Sequence, residues 1–308
     1  MPLIPEYQAL LSAMAEQGGA PIEEMSPAEG RELYRMMRPV TDAIAVDNIE
    51  NRTIPGPAGD IPIRIYHPNG DAARGVYVNF HGGGWVIGDL DTSDGVCRGI
   101  CVTADVIVVS VDYRLAPEHP YPAAVDDSWA ATQWVASNMS ALNGNGKIAV
   151  GGESAGGNLA AVAARKATEL SAPNIALQFL QYPVVDHSLE RQSYEDNGEG
   201  YILTTNTMRW FWDHYCPSLD SRNDTEASPL LATSFANLPP ALIITAEFDP
   251  LRDEGEAYAQ ALTQAGVKAD HRCIDGVVHD FFATAGLFEA CTNAFNDACA
   301  TLKEALED

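Results

Sequence analysis

Basic charge is scarce in this 308-residue chain, which has four lysines and fourteen arginines against 43 acidic residues and a net charge of −25. Such a field repels phosphate backbones and anionic lipid surfaces, so neither nucleic acid nor a membrane surface is an expected partner. The deficit is not a tail, because residues 1–154 carry −11 and residues 155–308 carry −14. Few lysines with evenly spread carboxylates suggest a strongly hydrated surface suited to salty surroundings. Long apolar runs are missing too. No window of about 18 consecutive apolar residues occurs, so no transmembrane helix is expected. The start, Met1-Pro-Leu-Ile-Pro-Glu, lacks a basic stretch, and Pro5, Glu6 and Gln8 interrupt its apolar residues, so no secretory signal is expected either. Cysteines are few, at 97, 101, 216, 273, 291 and 299, and the close pairs Cys97/Cys101 and Cys291/Cys299 lack His or Cys partners at zinc-site spacing. A chain of this length buries roughly three quarters of its surface without staples. The expectation is therefore reduced, buried thiols in a cytoplasmic protein, with no metal.

What is present is globular. Apolar residues make up 46% and charged residues 20%, close to soluble averages. Residues 1–45 read as helical, and Ser26-Pro27-Ala28-Glu29 offers an N-cap, a proline at N1 and a glutamate at N3, a capping box. Strands are predicted at 61–66, 76–80, 106–111, 147–150, 176–182, 241–245 and 268–274, with helices at 126–137, 158–170, 253–265 and 290–306. That alternation implies an α/β fold with a mostly parallel sheet covered on both faces. Residues 186–232 break the rhythm and contain Trp210-Phe211-Trp212 at helical spacing. Segments 1–45 and 186–232 are expected to pack as a cap on one catalytic domain of residues 46–308. The last strand is a possible exposed edge through which two copies pair.

Two motifs carry chemistry. Gly152-Glu153-Ser154-Ala155-Gly156 follows a strand and precedes a helix, the context in which G-x-S-x-G places a serine nucleophile on a sharp turn. His81-Gly82-Gly83-Gly84-Trp85 follows the strand at 76–80, and its glycines let backbone N–H groups approach a substrate oxygen. The expected oxyanion donors are the N–H groups of Gly83, Gly84 and Ala155. A phosphate-binding loop is the competing explanation, but no lysine follows and dinucleotide spacing is absent.

With these in place the resemblance is specific. HGGGWVIGD (81–89), DYRLAPEHPYPAA (112–124), GESAGGNLA (152–160) and EFDPLRDEG (247–255) resemble the hormone-sensitive-lipase-like family of α/β-hydrolases, the bacterial family IV esterases. The match runs from about residue 60 to the C-terminus. It implies an α/β-hydrolase fold, a Ser-Asp-His triad in that chain order, a helical cap and ester hydrolysis without a cofactor. The family elbow usually carries aspartate before the serine, where this chain has Glu153.

Seven histidines compete for the base. His81 and His119 sit in structural motif segments, His67 precedes a proline, His187 and His214 fall in the insertion, and His271 lies within a strand. His279 follows the last strand, where the order Ser…Asp…His places the base. For the acid, Asp249 lies past the C-terminal end of the strand at 241–245, at the sheet edge where ligands bind, and matches the family's DPL triplet. Glu247, Asp253 and Asp186 are the competing carboxylates. Trp85 and Val86 are expected beside the substrate pocket, Trp210, Phe211, Trp212 and Tyr215 in the core with the lining of an acyl pocket as the alternative, and Arg114 in a structural ion pair. The expected activity is hydrolysis of short- to medium-chain acyl esters of small molecules through an acyl-enzyme on Ser154. A hydrolase-like binding or receptor protein is the alternative, as is an amidase, thioesterase or lactone hydrolase using the same triad.

Overall fold

The computed structural model describes residues 2–40 and 43–307. Eight strands form one sheet: β1 Asn48–Gly56, β2 Gly59–His67, β3 Arg74–Phe80, β4 Ile107–Val111, β5 Gly144–Glu153, β6 Ile175–Gln181, β7 Ala241–Phe248 and β8 Ala269–Val278. Their order is β1-β2-β4-β3-β5-β6-β7-β8. The pairings of β2 with β1 and β4 are antiparallel, and every pairing from β4 to β8 is parallel. This is the α/β-hydrolase fold. Parallel strands end on one edge, so the loops that leave them converge there.

Ten helices lie among the described residues: α1 Pro5–Gln17, α2 Pro27–Met37, α3 Asp94–Ala104, α4 Ala123–Ser137, α5 Ala155–Glu169, α6 Gln192–Asn197, α7 Thr205–Tyr215, α8 Leu219–Arg222, α9 Arg252–Gln264 and α10 Glu289–Leu306. Alternation of side chains along each strand gives the sheet two buried faces. Ile63, Val76, Val78, Val109 and Ile243 belong to the core shared with α4, α5, α9 and the α7 aromatics. Tyr77, Val108, Leu177, Leu242 and Ile244 face the core shared with α3, α10 and Tyr7 of α1. None of the described helices is long and apolar enough to cross a membrane.

The capping box forms as expected. Ser26 Oγ accepts from the Glu29 N–H, and the Glu29 carboxylate accepts from the Ser26 N–H at 2.9 Å, which starts α2 at Pro27. The two added segments touch: Thr207 Oγ1 on α7 donates to the Glu23 carboxylate at 2.9 Å. α1 goes elsewhere, pairing Tyr7 OH with Thr284 Oγ1 at 2.8 Å beside α10. The far end of the predicted 1–45 segment includes residues 41 and 42, which lie outside the described residues.

Two elements outside the insertion were not expected. Strand β1 is an edge strand with mostly solvated positions and an internal Pro55, so it shows no apolar alternation. Helix α3 contains Gly95, Gly99 and β-branched valines, a poor helical composition, and forms because its apolar side is buried under α10.

Candidate active site

Each chemically marked residue follows a strand end. β3 leads into His81–Gly84, β5 into Ser154, β7 into Asp249 and β8 into His279. The topology alone thus brings four distant chain segments to one edge of the sheet.

Ser154 has φ 56° and ψ −115°, a conformation that side chains rarely adopt. Its N–H donates to Gln181 O at 2.9 Å, which pins the turn to β6. The flanking glycines are sterically required, because a Cβ on Gly152 or Gly156 would lie 2.1 or 1.9 Å from Phe80 O. Ala155 opens α5, so its N–H has no acceptor within the helix and is available for a developing anion.

The glycine loop folds over the same point. The N–H groups of Val86 and Ile87 donate to Gly83 O at 3.1 and 2.9 Å. Gly84 has φ 56°, and the ring of Phe211 on α7 lies where its Cβ would be, 2.1 Å away. His81 plays the structural part expected of it: its ring stacks 4.2 Å from Tyr113, whose hydroxyl donates to His81 O at 2.7 Å. Trp85 and Val86 have no exposed surface. Trp85 stacks 4.0 Å from Tyr215 and tilts 4.9 Å from Trp212, so its ring packs with the core aromatics beside the glycine loop. Trp212 and Tyr215 are core residues as expected.

Nδ1 of His279 lies 2.6 Å from Asp249 Oδ2, and Nε2 lies 3.1 Å from Ser154 Oγ. A carboxylate only accepts, so the proton sits on Nδ1 and Nε2 is left to take the serine proton. Asp249 is fully buried and its other oxygen accepts from the Leu251 N–H at 2.9 Å. Burial disfavours the charged imidazole, but the attraction of Asp249, with smaller contributions from Asp280 and Glu153, holds His279 above its ordinary pKa. The competing carboxylates are engaged elsewhere. Glu247 accepts from the Gly276 N–H, Asp253 from the Ser193 N–H, and Asp186 from Arg191. Arg114 pairs with Asp127 at 2.8 Å, as expected.

Three residues, Tyr182, Asp280 and Arg38, escaped the sequence reading, and the sequence placed a fourth, Phe211, only among the aromatics of the insertion. Phe211 covers Gly84. Tyr182 presents its ring edge-on 4.9 Å from His279 and donates its hydroxyl to Glu153 Oε1 at 2.8 Å. Asp280 follows His279, and burial pushes its carboxyl up to about 6. Arg38 ends α2 and bonds to both Glu153 and Asp280. The one signal in the sequence was Glu153 itself, one methylene longer than the usual aspartate.

A family model described as the α/β hydrolase fold matches residues 77–283. Carboxylesterase NlhH of Mycobacterium tuberculosis is 43% identical over 285 residues, 90% of this chain and 88% of that protein. Carboxylic ester hydrolase LipN of the same organism is 47% identical over 241 residues, 76% of this chain, and the match spans 64% of LipN. The structure of a thermostable esterase from Pseudomonas putida is similar with a TM-score of 0.94 and 39% identity, covering 100% of this chain and 98% of the other.

Proposed function

Because this chain belongs to the α/β-hydrolase family, in its hormone-sensitive-lipase-like branch, and is a serine carboxylesterase, we propose that Ser154, His279 and Asp249 perform its chemistry. The observation that carries the assignment is the pair of contacts at His279, 2.6 Å to Asp249 and 3.1 Å to Ser154. His279 takes the proton as Ser154 Oγ attacks the ester carbonyl, and Asp249 holds the tautomer and stabilises the imidazolium. The N–H groups of Gly83, Gly84 and Ala155 receive the oxyanion, each such donor contributing about 3 kcal/mol to the transition state. His279 then protonates the departing alcohol, and a water that it activates releases the acid from the acyl-enzyme.

The substrates we assign are short- to medium-chain acyl esters of small molecules. Ser154 and His279 are 8% and 7% exposed, and Phe211 of the segment 186–232 lies against Gly84 in the neighbouring glycine loop. That segment, with α2, forms the cap in our reading, and 46–308 with its insertion forms the catalytic domain. A cytoplasmic location fits six free cysteines, five of them buried. A homodimer would pair copies through β8, which ends the sheet and has one unpaired side.

The test is an acyl-length series of p-nitrophenyl esters with wild type and Ser154→Ala, together with labelling by a fluorophosphonate. We expect a short- to medium-chain optimum, loss of turnover in the alanine variant by about six orders of magnitude, and label on Ser154. Retained turnover or label on another residue would overturn the assignment.

A further inference from the structure

Helix α2 carries Arg31 and Arg35, four residues apart and therefore on one face, and Arg38 follows as its C-cap residue. Each reaches a different part of the machinery. Arg31 Nε donates to Val86 O in the glycine loop at 2.8 Å, and Arg35 Nε donates to Asp89 at 2.6 Å. Arg38, with its side chain 9% exposed, reaches deepest. Its Nη2 donates to Glu153 Oε1 at 3.2 Å and to Asp280 Oδ1, and its Nη1 donates to Glu153 Oε2 at 3.4 Å and to Thr92 O at 3.4 Å. Its guanidinium carbon stands 5.3 Å over the Tyr34 ring.

The sequence positions of these partners matter more than their number. Glu153 immediately precedes Ser154, and Asp280 immediately follows His279. One planar cation thus spans the backbone neighbours of both members of the proton-transferring pair. Tyr182 closes the network, bonding Glu153 with its hydroxyl while its ring edge abuts His279. Asp280 stands at φ 70°, a left-handed position, so its carboxylate is turned inward by a local conformation that few residues adopt. A guanidinium suits the task, since its rigid fork bonds two carboxylates at once and stays charged when buried.

We propose that Arg38 is a positioning residue of the esterase reaction, a clasp that ties α2 to the elbow and to the base loop and so sets the approach of Ser154 to His279. The proposal rests on the triad assignment above. With the clasp absent, the buried carboxylate of Glu153 and the partly buried one of Asp280 face each other beside the imidazole, and the two loops lose their common tie. Errors in reactive geometry of about 1 Å cost on the order of a hundredfold in rate.

The charged and titratable groups around His279 are Asp249 after β7, Asp280 on its own loop, Glu153 from β5 and Tyr182 after β6, with Arg38 from α2. Removing the cation leaves net negative charge that favours imidazolium, so a neutral base appears only at higher pH. Removing the Asp280 charge does the reverse.

The experiment measures kcat, KM and the pH profile of kcat/KM on p-nitrophenyl esters for wild type, Arg38→Ala and Asp280→Asn, with fluorophosphonate labelling and thermal melts. For Arg38→Ala we expect kcat to fall roughly 10–100-fold, KM to stay within about threefold, and the acid limb to move up. Millimolar ethylguanidinium should restore part of kcat to Arg38→Ala and leave wild type unchanged. For Asp280→Asn the acid limb should move down. Should Arg38→Ala fold poorly, Asp280→Asn still decides, because an unmoved acid limb in a folded variant overturns the clasp. A folded Arg38→Ala with wild-type kcat and pH profile overturns it equally. Failure of the triad assignment looks different: the wild type itself would then be inactive or labelled away from Ser154.

Discussion

Ser154 shows how little of this site depends on unusual side chains and how much on backbone placement. Its φ of 56° costs on the order of 1–3 kcal/mol, which persists because its N–H bonds to Gln181 O and its glycine neighbours press on Phe80 O. His279 then needs only to be neutral in order to act. Burial would lower its pKa, but Asp249 leads the groups that raise it above the ordinary value of about 6.5. The base works deprotonated, so activity disappears as pH falls through the raised value, and the acid limb of kcat/KM should lie above about 6.5. Asp249→Asn removes the raising charge and the tautomer control together. Its limb should move down while kcat drops by about four orders of magnitude. A limb that stays in place would show that Asp249 does not set the imidazole's titration. At this scale the grouping was legible in the sequence, since strand ends and motif order select Ser154, Asp249 and His279, the three residues that the structure sets within hydrogen-bond distance. Arg38 and Asp280 were not legible. They lie 242 residues apart and acquire meaning only when α2 docks beside β5.

Among the elements, α7 bears most directly on which esters react. Its buried face supplies Trp212 and Tyr215 to the core and Phe211 to the glycine loop, where the ring occupies the space that a Gly84 side chain would take. The sequence grouped these aromatics as core at helical spacing with an acyl-pocket lining as the alternative, and core holds for Trp212 and Tyr215. It gave no sign that Phe211 would touch Gly84, because that contact joins an insertion to a loop 127 residues earlier in the chain. Shortening the ring to leucine opens room beside the reacting carbonyl. Phe211→Leu should therefore shift the acyl-length optimum toward longer chains with the label still on Ser154. It should cost less than the roughly 3–5 kcal/mol of a buried Phe→Ala change. An unchanged acyl-length profile would place the acyl group on another wall. The missed elements share one cause: β1 and α3 owe their form to pairing with β2 and packing under α10, and local composition favours neither.

For the whole molecule the charge of −25 is the dominant fact, and catalysis uses almost none of it. The arginines are largely committed to local partners: Arg64 to Asp94, Arg98 to Asp94, Arg114 to Asp127, Arg222 to Asp213 and Arg252 to Asp253. What remains is an excess of carboxylates that repel one another across the surface and destabilise the compact state. Salt acts on the two populations differently. The partly buried pairs are screened weakly, whereas exposed carboxylates lie within reach of mobile ions, and the screening length falls from about 10 Å at 0.1 M to about 3 Å at 1 M. Relief of repulsion should therefore exceed the loss of attraction. We expect the melting temperature to climb as sodium chloride rises from low concentration to about 1 M, with roughly 2–4 °C gained per kcal/mol recovered. Sodium chloride is the right probe, because sulfate would also strengthen apolar burial and confuse the source of any gain. Most of the rise should come below about 0.5 M, where screening changes fastest, and potassium chloride should reproduce it. A melting temperature that falls steadily across the same range would mean that the ion pairs outweigh the excess charge, and the acidic surface would then owe nothing to a saline setting.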